Sequence, residues 1–178
     1  STLFPYTTLF RSGALEAVHP QLVALLFAQE RADFAPQMRQ WFSEGKIVIV
    51  DRYVYSNIAF QCAKLTDTDE KNELKKWILE LEYEHNAIPK PDLTFYLDAP
   101  QAFTGRVLQE RMQQRDRAYL EGKDDIHENN KALQQQVKTE YEKLVREQED
   151  LIVVPCSEDG VSMSDANRIH QHIMSCLI

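Results

Sequence analysis

Three short apolar runs constrain this chain more than any other feature: Lys46–Val50 (KIVIV), Asp92–Asp98 (DLTFYLD) and Leu151–Val154 (LIVV). They are too short for helices and too continuous for half-buried strands, so they read as strands covered on both faces, as in a parallel sheet. Between them the apolar period lengthens to three or four residues. Leu22, Val23, Leu26 and Phe27 follow His19-Pro20 at helical spacing, and Pro36 predicts a second helical segment carrying Met38, Trp41 and Phe42, stopped by Gly45. Ser56, Ala59, Phe60 and Ala63 continue a helical pattern after the first run. Leu74, Trp77, Ile78 and Leu81, with His85 at the end, form a longer stripe. Helices are also predicted over Gln101–Arg111, over Ile126–Gln148 with Leu133, Val137, Tyr141 and Leu144 on one stripe, and over Met163–Cys176. Strands alternating with helices predict a right-handed, mostly parallel α/β layer in one domain.

Composition narrows the function classes. Lys+Arg 20 against Asp+Glu 28 leaves a net charge of −8, which argues against a nucleic-acid or membrane-surface partner. No apolar run approaches the roughly 20 residues needed to cross a bilayer. Cys62, Cys156 and Cys176 are odd in number and lack CxxC spacing, so neither a disulfide framework nor a zinc site is implied. The expectation is a reduced, cytoplasmic protein. Ser1–Ser12 (STLFPYTTLFRS) stands apart: it has no acidic residue and no helical period. It resembles the in-frame translation of a sequencing-adapter oligonucleotide, and residues 1–12 are read as an artefactual tail, with native sequence starting near Gly13.

In open α/β sheets, ligands bind outside the carboxyl ends of the strands. That draws attention to Asp51-Arg52-Tyr53 and to Asp98. An Asp closing a buried strand is costly unless it is paired or supports a metal, and an adjacent Arg offers a planar fork of donors suited to phosphate. A capping ion pair at a strand end is the alternative.

These residues lie in a longer pattern. IVIVDRYVYSNIAFQ (47–61), preceded by LLFAQERADF (25–34) and followed by IPKPDLTFYLD (88–98), resembles the thymidylate kinases, members of the P-loop nucleoside monophosphate kinases. The likeness runs from about Gly13 to Cys156. It implies an α/β P-loop kinase fold, a three-layer arrangement of a parallel sheet with helices on both faces. It also implies transfer of the γ-phosphoryl of ATP to dTMP, giving dTDP, with Mg2+ as cofactor, ATP as co-substrate and a homodimeric parent. Residue by residue, Phe27 would stack on thymine and Arg31 would bond its edge. Arg52 would clamp the dTMP phosphate. Asn57, Phe60 and Gln61, at i, i+3 and i+4, would line the nucleoside pocket, with Phe60 standing where many relatives carry Tyr. Asp51 and Glu128 would act around the metal, indirectly and not as its direct ligands. The segment at about 111–126 corresponds to the lid, whose Arg115 and Arg117 would neutralise the transferring phosphoryl, with Arg111 a weaker candidate.

One element of the pattern has no counterpart. The five glycines, at 13, 45, 105, 122 and 160, include no Gly-x-x-x-x-Gly-Lys-Ser/Thr, the loop whose amides and lysine cradle phosphates. The chain is therefore expected to lack the family's first two strands and its P-loop, and to be an inactive piece, residues 13–178, of an active kinase. In the family's strand order 2-3-1-4-5, the three runs would be the third, fourth and fifth strands. The gap left by strand one would stay open or be filled by tail residues such as Thr7–Phe10. A deoxynucleoside kinase or a UMP/CMP-type kinase is the competing enzyme, and a non-catalytic interaction domain the competing class.

Overall fold

The computed structural model describes residues 18–113 and 131–177, side chains excepted at 108–113 and 131. The described chain falls into two compact units: 18–91 with Gln136–Glu140, and 92–113 with 131–135 and 141–177.

The first unit is helical. Helix α1 (Pro20–Ser43) starts where Pro20 supplies a preset φ at its first position and His19 Nδ1 accepts from the Gln21 amide at 3.3 Å. It ends at Glu44, and Gly45 turns the chain away at φ 73°, a left-handed conformation that glycine adopts without steric cost. Pro36 sits inside α1, so the expected second helix is instead the continuation of the first. The proline removes one backbone donor and adds a steric clash, costs of about 3 kcal/mol that the surrounding packing of Ala35 and Met38 outweighs. Small residues dominate the buried face of α1, with Val23, Ala24, Ala28 and Ala35 all nearly inaccessible. That short-side-chain face lets α2 (Val54–Cys62) lie against it. Residues 54–59 of α2 are all buried, and α3 (Thr68–Leu79) covers another side through Leu74 and Ile78. Asp67 caps α3 by accepting from the Asp69 and Glu70 amides at 3.0 and 2.9 Å. Lys71 of α3 pairs with the largely buried Glu140 at 2.8 Å.

At its C-terminal end α3 widens into one π-helical turn, Glu80–His85. The Asn86 amide reaches back five residues to Leu81 O at 2.8 Å. His85, expected on the apolar stripe, is exposed.

The second unit carries the sheet. Strands β1 (Thr94–Asp98) and β2 (Leu151–Pro155) pair in parallel, Thr94 opposite Leu151 through Asp98 opposite Pro155. Two of the three predicted strands are thus direct neighbours, as the resemblance implies for strands four and five. Between them run α4 (Gln101–Gln113) and α5 (Lys131–Glu147), and α6 (Ala166–Ser175) follows, packed on β2. Leu133 and Leu144 of α5 are buried as their spacing predicts, and Tyr141 stacks on Tyr96 of β1 with ring centroids 4.6 Å apart. Burial pushes the Tyr96 phenol well above its ordinary range, and the nearby Asp98 carboxylate adds to the effect.

The third predicted strand is a correction. Lys46–Val50 forms no regular element and pairs with no strand among the described residues, and Ile47 and Ile49 are each 92% exposed. β-branched residues favour extended backbone, but a ladder needs a neighbour to exchange N–H and C=O bonds, and this segment has none there. The tail residues named as a possible filler, Thr7–Phe10, lie outside the described residues, as do residues 1–17 generally. Among the described residues no helix is long and apolar enough to cross a membrane.

Candidate functional site

Of the candidate residues in the first unit, Phe27 and Arg31 lie on α1, Asp51 and Arg52 lead into α2, and Asn57, Phe60 and Gln61 lie on α2. Arg52 is the residue on which the geometry is most unusual. Its φ is 64°, a left-handed conformation that costs a side-chain-bearing residue about 1–2 kcal/mol. Strain of this kind persists where the surroundings hold it. Here Arg52 Nε donates to Ser56 Oγ at 2.9 Å, one turn into α2, and the guanidinium carbon lies 4.2 Å from the centroid of the Phe60 ring. The guanidinium is thus stacked and tethered by Nε alone. Its two terminal nitrogens have no partner among the described residues and point a ready two-donor fork toward solvent-accessible space, since Arg52 is exposed.

Asp51 next to it is exposed too, which corrects the expectation of an Asp buried at a strand end: with 46–50 outside any sheet, there is no buried strand end to cap. Among the described residues no three His, Cys, Asp or Glu side chains cluster closely enough to hold a metal ion. Asp51 by itself does not make a magnesium site, because that ion needs near-octahedral oxygen coordination.

A second constellation lies deeper. Arg31, on α1 one turn after Phe27, forms a two-point ion pair with Glu82: Nε bonds Oε2, and Nη2 donates to Oε1 at 2.6 Å. Glu82 is fully buried and Arg31 retains 16% side-chain exposure. The Asn57 side-chain amide donates to the same Glu82 Oε1 at 3.1 Å and to Ala24 O at 3.1 Å. Its own carbonyl oxygen, Oδ1, is buried without a hydrogen-bond partner among the described residues. The Arg31 guanidinium also lies 5.9 Å from the centroid of the Tyr53 ring. Tyr53 donates its hydroxyl to Pro89 O at 2.8 Å, and burial pushes its phenol up to about 12.

The predicted residues therefore separate into groups. Arg31 and Asn57 meet through Glu82, and Arg52 meets Phe60. Phe27 is half-buried on α1. Gln61 is buried and accepts from Lys64 Nζ at 2.8 Å, away from the Arg52 contact. Arg115, Arg117 and Glu128 lie outside the described residues, and of Arg111 only the backbone is described.

Glu82 is the residue the motifs did not single out. A signal for it exists: it follows Leu74 and Ile78 at i+8 and i+4, so helical spacing puts a carboxylate on the apolar stripe. Acidic side chains are almost never fully buried without a partner, so this one predicts a cation from another element.

Comparison with known proteins decides the family. Residues 5–164 match the family model described as thymidylate kinase. The chain belongs to the thymidylate kinase family. The matched range reaches into the first twelve residues. Among curated relatives, a "Probable thymidylate kinase" of Thermococcus kodakarensis is 30% identical over 155 residues, covering 86% of this chain and 63% of the relative. One of Pyrobaculum aerophilum is 29% identical over 167 residues, 92% of this chain and 70% of the relative. One of Pyrococcus horikoshii is 38% identical over 78 residues, 43% of this chain and only 33% of the relative. The chain thus spans from a third to about two-thirds of the length of these family members. Membership carries with it the P-loop kinase fold, and the parallel β1–β2 pair agrees with that α/β class.

Proposed function

We propose that this chain supplies the acceptor half of a dTMP kinase, the enzyme that moves the γ-phosphoryl of ATP to dTMP and yields dTDP. The observation that carries the reading is the buried Asn57 Oδ1, unpartnered among the described residues, on a side chain that shares the Glu82 carboxylate with Arg31. Thymine presents an N3–H donor next to an O4 acceptor. An acceptor at Asn57 Oδ1 and a donor at Arg31 Nη1, which has no partner among the described residues, complement that edge. Cytosine presents the reverse pattern, and a site built to bond one pattern rejects the other strongly because buried groups are left unpaired.

In this reading Phe27, four residues before Arg31 on α1, stacks on the base. The free fork of Arg52 grips the 5′-phosphate and reduces its repulsion toward the incoming phosphoryl. Phe60 and Ser56 hold that fork in place, and Asn57 and Gln61 border the nucleoside. Arg115 and Arg117 close over the donor from the lid. Asp51 and Glu128 would help to hold Mg2+, indirectly, and the ion would supply positive charge against the donor phosphates. The parent enzyme works in the cytoplasm as a homodimer, with no nucleic-acid or membrane partner. Because the sequence contains no Gly-x-x-x-x-Gly-Lys-Ser/Thr, the 178-residue chain by itself binds dTMP and transfers nothing.

Thermal-shift titration of the chain with dTMP, thymidine and dCMP tests this. A ligand at a hundredfold its Kd stabilises the fold by about 2.7 kcal/mol. A shift with dTMP that exceeds those with thymidine and dCMP is expected. Preferential response to thymidine, or equal response to dCMP, would refute the assignment. Formation of dTDP from ATP by the purified chain would refute its inactivity.

A further inference from the structure

We infer that Glu82 is the positioning residue that sets the hydrogen-bond polarity of the base-reading pair. The inference rests on the reading of Arg31 and Asn57 as the base-binding groups. An Asn amide has two ends that are nearly equal in size and opposite in character, and only its neighbours decide which end faces where. Around Asn57 two neighbours are on the page, and both only accept: Ala24 O and Glu82 Oε1, each 3.1 Å from Nδ2. Neither the Ala24 carbonyl nor a carboxylate engaged on both oxygens by Arg31 donates, so together they exclude the turned amide, in which oxygens would face each other. The carbonyl oxygen is thereby left as the unpartnered buried acceptor.

The same carboxylate orients Arg31. Engaging Nε and Nη2 together fixes the plane of the guanidinium and leaves Nη1 as the remaining donor group. One buried side chain therefore bears on both letters of the pattern, the donor on Arg31 and, together with Ala24 O, the acceptor on Asn57. The π-helical turn at Glu80–His85 belongs to this arrangement. Glu82 sits within it, fully buried, and such turns occur as local insertions in helices, frequently at functional sites. A merely structural ion pair would have no need of the shared contact with Asn57, nor of the orphaned oxygen opposite it.

The role predicts a change in selectivity rather than in affinity alone. In Glu82→Gln the new side chain can present an NH2, which removes one of the two acceptors holding the Asn57 amide and favours the turned form that offers its own NH2 to the base. Equilibrium binding of dTMP and dCMP to the 178-residue chain and its variants reads this directly. The ratio of the two affinities is expected to fall about tenfold or more in Glu82→Gln, the scale of one hydrogen bond reversed. Parallel weakening of both nucleotides with the ratio unchanged would overturn the inference, because that is the behaviour of a structural pair. Glu82→Asp keeps an acceptor-only group and is expected to keep the preference within about threefold even where affinity drops. If the Gln variant fails to fold, loss of the preference in Glu82→Asp overturns the inference and its retention supports it. An unaltered chain that binds dTMP and dCMP equally would refute the base-binding reading itself, a result separate from any behaviour of the variants.

Discussion

The Arg31–Glu82 pair makes an asymmetric prediction about stability. Glu82 has no exposed surface, whereas the Arg31 side chain keeps 16%. Replacing Arg31 by Met preserves the aliphatic stem and strands a carboxylate in the interior, with the Asn57 amide its remaining described partner. Breaking a buried pair from one side typically costs about 3–5 kcal/mol, most of it the uncompensated charge. Replacing Glu82 by Leu leaves a guanidinium that already reaches solvent and can turn toward it, so the loss is about 1–2 kcal/mol of charge-assisted bonding. The double variant Arg31→Met/Glu82→Leu removes both charges and is expected within about 1 kcal/mol of the parent, because desolvation and attraction disappear together. Urea unfolding followed by far-UV circular dichroism measures all three. At an m-value of about 2 kcal/mol/M, Arg31→Met lowers the midpoint by roughly 2 M and Glu82→Leu by less than about 1 M. Equal losses for the two single variants, or a double variant as unstable as Arg31→Met, would refute the argument that the stranded carboxylate dominates. The same result bears on function, since a pair that contributes little net stability is retained for what it orients.

Two further outcomes follow from the titratable groups. The Tyr53 phenol is raised from 10.0 to about 12, chiefly by burial, with the Arg31 cation partly opposing the shift. A raised folded-state value means the contribution is complete below the unfolded value and is lost as pH climbs through the folded one, so urea midpoints should fall between about pH 10 and 12. Tyr53→Phe should flatten that fall, at the expense of the bond to Pro89 O; an unchanged slope would contradict the assignment. Among the cysteines, Cys62 and Cys156 are buried, and burial also raises the Cys156 thiol, while Cys176 is partly accessible. Iodoacetamide followed by mass spectrometry should therefore label Cys176 first, and early labelling of Cys156 would show that β2 and its surroundings open readily.

Much of the helical framework was legible in local signals. The Leu74–Ile78 stripe and the Leu133–Leu144 spacing each depend on residues a few positions apart, and each reappears as buried structure. Pro36 misled because its local penalty is a few kcal/mol at most, and burial of Ala35 and Met38 on the same helix overrides it. The motif around Asp51-Arg52-Tyr53 named candidates near α2, and Arg31 and Asn57 were named from the same resemblance. What joins them was not legible. Glu82 lies 51 residues from Arg31 and 25 from Asn57, and only its position on an apolar stripe hinted at a partner.

The sequence by itself determined the α/β class, the helical periods and the family, because these rest on near-neighbour spacing and on motifs carried by contiguous residues. Tertiary structure alone decided two things. The first is that Thr94–Asp98 and Leu151–Pro155 form a ladder while Lys46–Val50, richer in β-branched residues than either, does not among the described residues. A strand is completed by a partner's hydrogen bonds, which no property of its own residues supplies. The second is the direction in which Asn57 and Arg31 face, set by a carboxylate brought in from a distant helix. Polarity at a binding edge depends on which group is opposite, and that is a matter of packing in three dimensions.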